Sequence, residues 1–146
     1  MTIDTEVFCV RQEKSCGAVI YRLEGGEPLF LVERMRLGHV SLCKGHVEGA
    51  ETEHETARRE IMEETALSVR FVDGFRRTIA YSPQPGVMKD VVFFLAEAEQ
   101  AQTTAQECEV SSIAWLRADD ALAAMTYAED RDVLADAIAY LAGARV

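Results

Sequence analysis

Apolar residues fall along this chain in runs of strand length. Cys16 to Leu23 (CGAVIYRL) and Leu29 to Val32 (LFLV) are two of them, separated by the turn residues Glu24-Gly25-Gly26-Glu27-Pro28, and together they predict a hairpin. Ser68 to Val72 and Arg76 to Tyr81 are shorter strand patterns. Val87 to Ala96 (VMKDVVFFLA) is the longest in the second half, and Ser111 to Leu116, carrying Trp115, is a further one. Between these runs the period changes. Ala57, Ile61 and Thr65 form a stripe at i,i+4 spacing that can face a sheet, with Met62 beside it. Thr52 and Glu55 supply a T-x-x-E capping box, which puts the helix start near residue 52. Asp119 to Met125 and Glu129 to Leu141 predict two closing helices. The second carries Val133, Leu134, Ala137, Ile138 and Leu141 at helical spacing, with Thr126 and Glu129 as a second capping box. Strands on both sides of a central helix, then terminal helices, predict an α/β fold with a mixed β-sheet between helical layers. Phe93, Phe94 and Trp115 read as core, and Gln100 to Gln106 as a polar loop without evident chemistry.

A chain of 146 residues is one domain of ordinary size, 1–146. Its 15 basic and 25 acidic residues leave a net charge of −10, which argues against nucleic acid or an anionic membrane as a partner. MTIDTEVF has neither a basic start nor an apolar run, and no stretch approaches the ~20 apolar residues of a membrane span, so a cytoplasmic protein is expected. Cys9, Cys16, Cys43 and Cys108 show no C-x-x-C pairing and read as structural free thiols.

The central helix carries the chemistry. Glu60, Glu63 and Glu64 are related by i,i+3 and i,i+4 steps, so their carboxylates project from one strip. A solvated charged face is the alternative, but carboxylates so placed without matching lysines repel one another. A cation between them removes that repulsion, and hard oxygen ligands suit Mg²⁺ or Mn²⁺. Glu53 and Glu55 put negative charge at the positive end of the helix dipole.

The segment from Gly45 to Leu67 resembles the Nudix box, G-x5-E-x7-R-E-U-x-E-E-x-G-U with U aliphatic. Gly45 is its first glycine, Glu51 follows, then Arg59-Glu60-Ile61-Met62-Glu63-Glu64, and Leu67 fills the last aliphatic position. Ala66 stands where the family has glycine, at a helix C-terminus where a left-handed residue is usual; alanine there costs roughly 1 kcal/mol and removes no ligand. Lys44-Gly45-His46-Val47-Glu48 looks like the K-G-H-x-E opening of the dinucleoside polyphosphate hydrolases of this family. Gly74-Phe75-Arg76-Arg77, Tyr81, Lys89 before Phe93 to Glu97, Glu109 before Trp115-Leu116, and Tyr127 to Asp130 are similar to the same group. Val40-Ser41-Leu42-Cys43 departs from the aromatic residue and proline often found before K-G-H. The resemblance implies the Nudix α/β/α sandwich and metal-dependent hydrolysis of a phosphoanhydride in a small nucleotide, diadenosine tetraphosphate foremost. A nucleoside triphosphate, a nucleotide sugar or a non-catalytic nucleotide-binding module are the other readings, and the complete set of glutamates argues against the last.

Phosphoanhydride hydrolysis needs an activated water, charge neutralisation and in-line orientation, all of which bound metal can supply. Glu60 and Glu64, one turn apart, are expected as metal ligands, with Glu63 the third; the resemblance adds the Gly45 carbonyl and Glu109. The general base is expected among Glu60, Glu63 and Glu109. Arg59, an i,i+4 neighbour of Glu63, can hold a carboxylate in place and is an orienter in the family. Glu51 reads as a loop brace. Lys44, His46 and Lys89 are expected to contact phosphates and Tyr81 to touch phosphate or stack on a base, although Lys89 also reads as a charged gatekeeper and Tyr81 as packing. His39 and His54 read as solvent-facing.

Overall fold

The computed structural model describes residues 10–106 and 108–144, so the expectations for Met1 to Phe8 and for Cys9 lie outside the described residues. Two long strands form its axis: β1 (Arg11–Glu24) and β7 (Val87–Ala98) run parallel, in register from Arg11↔Val87 to Tyr21↔Glu97. The predicted hairpin is present, with β2 (Glu27–Met35) antiparallel to β1 across the Gly25-Gly26 turn. On β2 lie β3 (Val40–Ser41) and β8 (Val110–Arg117), and on β7 lie β5 (Val69–Phe71) and β6 (Arg77–Gln84). β4 (Cys43–His46) pairs antiparallel with the first half of β1, from Ser15↔His46 to Ala18↔Cys43.

Alternation along the strands assigns the two faces of this eight-stranded mixed sheet. Cys16, Ala18, Ile20, Leu31, Val92 and Phe94 turn to one side and pack with Ala57 and Ile61 of α1 (Glu53–Thr65). Val19, Tyr21, Phe30, Val32, Phe93 and Leu95 turn to the other, against Ala121 of α2 (Ala118–Ala124) and Val133, Leu134 and Ala137 of α3 (Ala128–Ala144). This is the α/β/α sandwich expected. Phe93 and Phe94 are buried as predicted, whereas Trp115 sits half-buried on β8 and donates its indole N–H to Ala101 O at 3.0 Å. No helix among the described residues is long and apolar enough to cross a membrane.

The structure differs from the sequence reading elsewhere in the fold as well. β1 begins at Arg11 rather than Cys16, because the polar segment RQEKS is held by β7 on one side and, at Ser15, by β4 on the other. β3 and β4 carry no apolar alternation and exist through their neighbours. β4 can approach β1 only because position 17 is glycine: a Cβ there would overlap the carbonyl oxygen of Cys43. Thr126 does not cap α3; its hydroxyl accepts from Val40 N at 2.8 Å, and α3 starts at Ala128. Met62, expected beside the buried stripe, is 47% exposed.

Candidate active site

The acidic helix is pinned at both ends. At its start the Thr52 hydroxyl accepts from Glu55 N at 3.1 Å while the Glu55 carboxylate accepts from Thr52 N at 2.8 Å, the reciprocal box read from the sequence. Glu53 takes two bonds from Arg76, at 2.9 and 2.8 Å, and one from Lys14 at 2.6 Å, and these cations hold its carboxyl down to about 2. At its end Ala66 adopts the left-handed conformation, φ 62°, alone among the described non-glycine residues. The last carbonyls are satisfied by the loop that had shown no chemistry: Gln106 N donates to Glu64 O, Thr104 N to Thr65 O and the Gln100 amide to Ala66 O. A helix so fixed offers its carboxylates in one set geometry.

That geometry splits the acidic strip in two. Outward, Arg59 is the organiser. Its Nε and Nη2 grip both oxygens of Glu51 at 2.7 and 3.0 Å, its Nη1 reaches Glu60 at 2.8 Å and Glu63 at 3.2 Å, and Nη2 also holds the His46 carbonyl at 2.8 Å. Glu51 in turn accepts from Glu48 N and the Thr56 hydroxyl, which makes it a brace between loop and helix. Its carboxyl is held down to about 2, first by Arg59 and then by Glu48 N. Glu60 lies directly over Gly45, so close that a Cβ at position 45 would collide with its carboxyl group. Here the glycine is needed for space.

Inward, Glu64 leaves the strip. At 3.6 residues per turn it stands about 40° from Glu60 on the side of Ile61 and Thr65, and it is only 2% exposed. It meets Glu33 of β2, 1% exposed, and Cys43 of β4, whose thiol donates to Glu64 Oε1 at 3.3 Å. Potential ligand atoms of the three lie within 4.8 Å of one another. Burial above all pushes the carboxyls of Glu64 and Glu33 upward; the charge of Glu33 adds to this at Glu64, whereas hydrogen bonding with Glu64 and Cys43 acts the other way at Glu33, and burial raises the Cys43 thiol as well. Among the described residues, Glu33 Oε2 is buried without a hydrogen-bond partner. Two carboxylates facing each other, one oxygen orphaned, and a glycine cradle under a third carboxylate form a donor set that fits a divalent cation.

Beside this cluster opens a cleft of about 510 Å³, bounded by β6 (Ile79, Tyr81, Ser82, Pro83), the β3–β4 segment (Ser41, Lys44) and the start of α3 (Tyr127, Glu129, Asp130), with His39 at its edge. Lys44 thus stands next to Gly45 on one side and in the cleft on the other. Tyr81 is directly across the β6–β7 pair from Lys89, whose ammonium is depressed by burial and then by the charge of Lys44, with Glu13 and Glu109 acting the opposite way. Lys89 does not line the cleft. His46 is exposed and offers its carbonyl, not its ring, to Arg59. Glu109 is exposed just before β8, outside the buried cluster, with its carbonyl held by Arg36 N.

The sequence reading gives Glu33 no mention, Asp130 no role beyond the Tyr127 to Asp130 resemblance, and His39 a place in solvent. Glu33 ends the apolar run LFLV, and a charge at the inward phase of such a strand was the available signal. Asp130 is 5% exposed in the cleft wall, with its carboxyl raised by burial. His39, expected to face solvent, is half-buried with its ring 5.8 Å from that of Tyr127, whereas His54 is exposed and stacks on Phe94 at 3.9 Å.

The chain matches the NUDIX domain over residues 12–137. It is 30% identical over 135 residues to the asymmetrical bis(5'-nucleosyl)-tetraphosphatase of Caenorhabditis elegans, covering 89% of this chain and 97% of that protein. It is 28% identical over 112 residues to the NAD-capped RNA hydrolase NudC of Haemophilus influenzae, covering 73% of this chain but 41% of that one. Among solved structures, a binary complex of the C. elegans Ap4A hydrolase superposes with a TM-score of 0.82 at 29% identity, over 90% of this chain and 98% of that one. With the acidic helix, the glycine cradle and the arginine hub all present, the chain belongs to the Nudix family and is a hydrolase of phosphoanhydrides.

Proposed function

We propose that this protein hydrolyses dinucleoside polyphosphates, diadenosine tetraphosphate foremost, with Mg²⁺ or Mn²⁺ as cofactor, leaving a mononucleotide product. The observation that carries the reading is continuity: Lys44 joins the carboxylate cluster at Gly45 to a cleft of about 510 Å³, room for a nucleoside beside the phosphates. Near full-length similarity to an enzyme named for a bis-nucleosyl tetraphosphate supports the same substrate.

Nudix hydrolases use divalent metals, and Glu60, Glu63, Glu64, the Gly45 carbonyl and Glu109 are the groups we assign to hold them. Bound there, such a cation neutralises phosphate charge and lowers the pKa of water. The protein's own part is placement. Arg59 holds Glu60 and Glu63 on the same guanidinium nitrogen, so that their two carboxylates keep a set spacing, while Glu51 and His46 fix the guanidinium itself. The general base comes from Glu60, Glu63 or Glu109. Lys44 and Lys89 lie close enough to repel, which makes their neighbourhood the place for phosphate in a chain of net charge −10. His46 and Tyr81 add donors at its edge.

A second reading keeps the chemistry with another nucleoside diphosphate-linked substrate, and the similarity to an NAD-capped RNA hydrolase favours it as the alternative. Lys89→Ala and Tyr81→Phe separate the two. Loss of one charge-assisted hydrogen bond costs about 1.5–3 kcal/mol, roughly 10–150-fold in kcat/KM. Lys89→Ala is expected to lose that much on diadenosine tetraphosphate and less on a nucleoside triphosphate. Equal losses would make Lys89 a general phosphate contact, and no loss on either would remove both side chains from the substrate site.

A further inference from the structure

We infer that Glu33, Cys43 and Glu64 form a sulfur-containing seat for a thiophilic divalent cation of the Zn²⁺ class. The seat lies inward of the Glu60–Glu63 surface and shares only Glu64 with it. It is independent of which substrate is cleaved.

Three observations lead there. The first is the orphaned oxygen: Glu33 is 1% exposed, and among the described residues its Oε2 meets no hydrogen-bond partner although it faces Cys43 and Glu64. A buried carboxylate oxygen left without a partner is costly, and a cation is the partner that a neighbourhood of two carboxylates and a thiol lacks. The second is spacing. Zinc bonds to sulfur and carboxylate oxygen at tetrahedral angles place those two ligand atoms roughly 3.6 Å apart, and Cys43 Sγ lies 3.3 Å from Glu64 Oε1. All three residues offer an atom within 4.8 Å of the others, so small side-chain rotations close the set. The third is softness and enclosure. Mg²⁺ sheds water reluctantly and prefers to keep several ligand waters, whereas a closed pocket with one sulfur suits zinc, cobalt or cadmium. Cys43 is itself 1% exposed.

Glu60 is the neighbouring carboxylate: its charge acts on both Glu33 and Glu64, and its carboxyl group lies against Gly45. As the ion seats, the Cys43 thiol proton and the carboxyl proton held by the Glu33–Glu64 pair are both released to water, which leaves sulfur and two carboxylates as three ligands. Occupation makes Glu64 unavailable to a cation held by Glu60 and Glu63, so a thiophilic ion is expected to oppose Mg²⁺ in this protein.

Cobalt is the probe. Full-length metal-free protein titrated with Co²⁺ should develop a sulfur-to-cobalt charge-transfer band, and excess Mg²⁺ should leave it in place. Cys43→Ser should abolish the band, Cys108→Ser should keep it, and Glu33→Gln should keep it while weakening Co²⁺ binding at least tenfold. Cadmium NMR on unmodified protein gives a reading that needs no variant: a sulfur-ligated shift is expected, and an all-oxygen shift would overturn the inference. Absence of the cobalt band in the unmodified protein, or its survival in folded Cys43→Ser, would overturn it equally. Either result leaves Mg²⁺-supported hydrolysis untouched as a separate question, since no substrate enters these measurements.

Discussion

Gly45→Ala isolates the placement of a carboxylate from the stability of the fold. A Cβ at position 45 would fall well inside the 3.0 Å that real Cβ atoms keep from other groups, and what it meets is the end of a flexible side chain, the Glu60 carboxyl group. Glu60 can therefore move, and must. In moving it gives up the 2.8 Å bond from Arg59 Nη1. Arg59 keeps both bonds to Glu51 and those to Glu63 and the His46 carbonyl, so the loop and helix stay joined and stability should change by less than about 1 kcal/mol. Catalysis should suffer more. A misplacement of about 1 Å at the reacting groups costs on the order of a hundredfold, about 2.7 kcal/mol. The assay is kcat at saturating metal alongside thermal unfolding. Gly17→Ala is the contrasting variant, because its Cβ would meet the backbone carbonyl of Cys43, which cannot swing aside. That change should cost about 3 kcal/mol or more of stability. Activity within fivefold of wild type for a folded Gly45→Ala would refute the claim that this glycine exists to seat Glu60.

Glu64→Gln keeps the side-chain shape and removes a charge; turnover should fall at least a hundredfold, about 2.7 kcal/mol or more, and a loss below fivefold at saturating metal would show that Glu64 is not a ligand. Ala66→Gly relieves the left-handed alanine at φ 62° and should raise unfolding stability by roughly 1 kcal/mol, read from urea unfolding. The raised carboxyl of the Glu33–Glu64 pair keeps a proton that the unfolded chain gives up near 4.5. Its contribution is therefore fully present below that pH and lost as pH climbs toward the raised value, by about 1.4 kcal/mol per unit. Chelator-treated protein should lose unfolding stability as pH rises from about 5 toward about 10, and added divalent cation should flatten the slope; an equally flat profile without metal would contradict the buried pair.

Local signals carried the sequence a long way. The capping box of Thr52 and Glu55, the stripe of Ala57 and Ile61 and the alternation in Val91 to Ala96 each reappear because each is decided within a turn or a strand. What escaped depends on distant neighbours. Cys43 to His46 becomes a strand only because Gly17, far off in sequence, lets it approach β1. Glu64 shares its spacing with Glu60 and Glu63, but the buried partner that separates it from them is Glu33, on β2 of the first hairpin. Gln100 to Gln106 looked inert because its role, capping the carbonyls of α1, is exercised mainly through backbone N–H groups that carry no residue signature. Asp130 reads as an ordinary acidic residue in a helix's first turn until β6 and Lys44 enclose it.

The most direct measurement of the central claim is initial-rate hydrolysis across diadenosine tetraphosphate, a nucleoside triphosphate and a nucleotide sugar, each with Mg²⁺, with Mn²⁺ and with excess chelator. The account predicts release of a mononucleotide, the highest kcat/KM on diadenosine tetraphosphate, and no turnover in chelator. Faster turnover of either other substrate would contradict the proposed specificity, and undiminished hydrolysis in chelator would contradict the metal-dependent site itself.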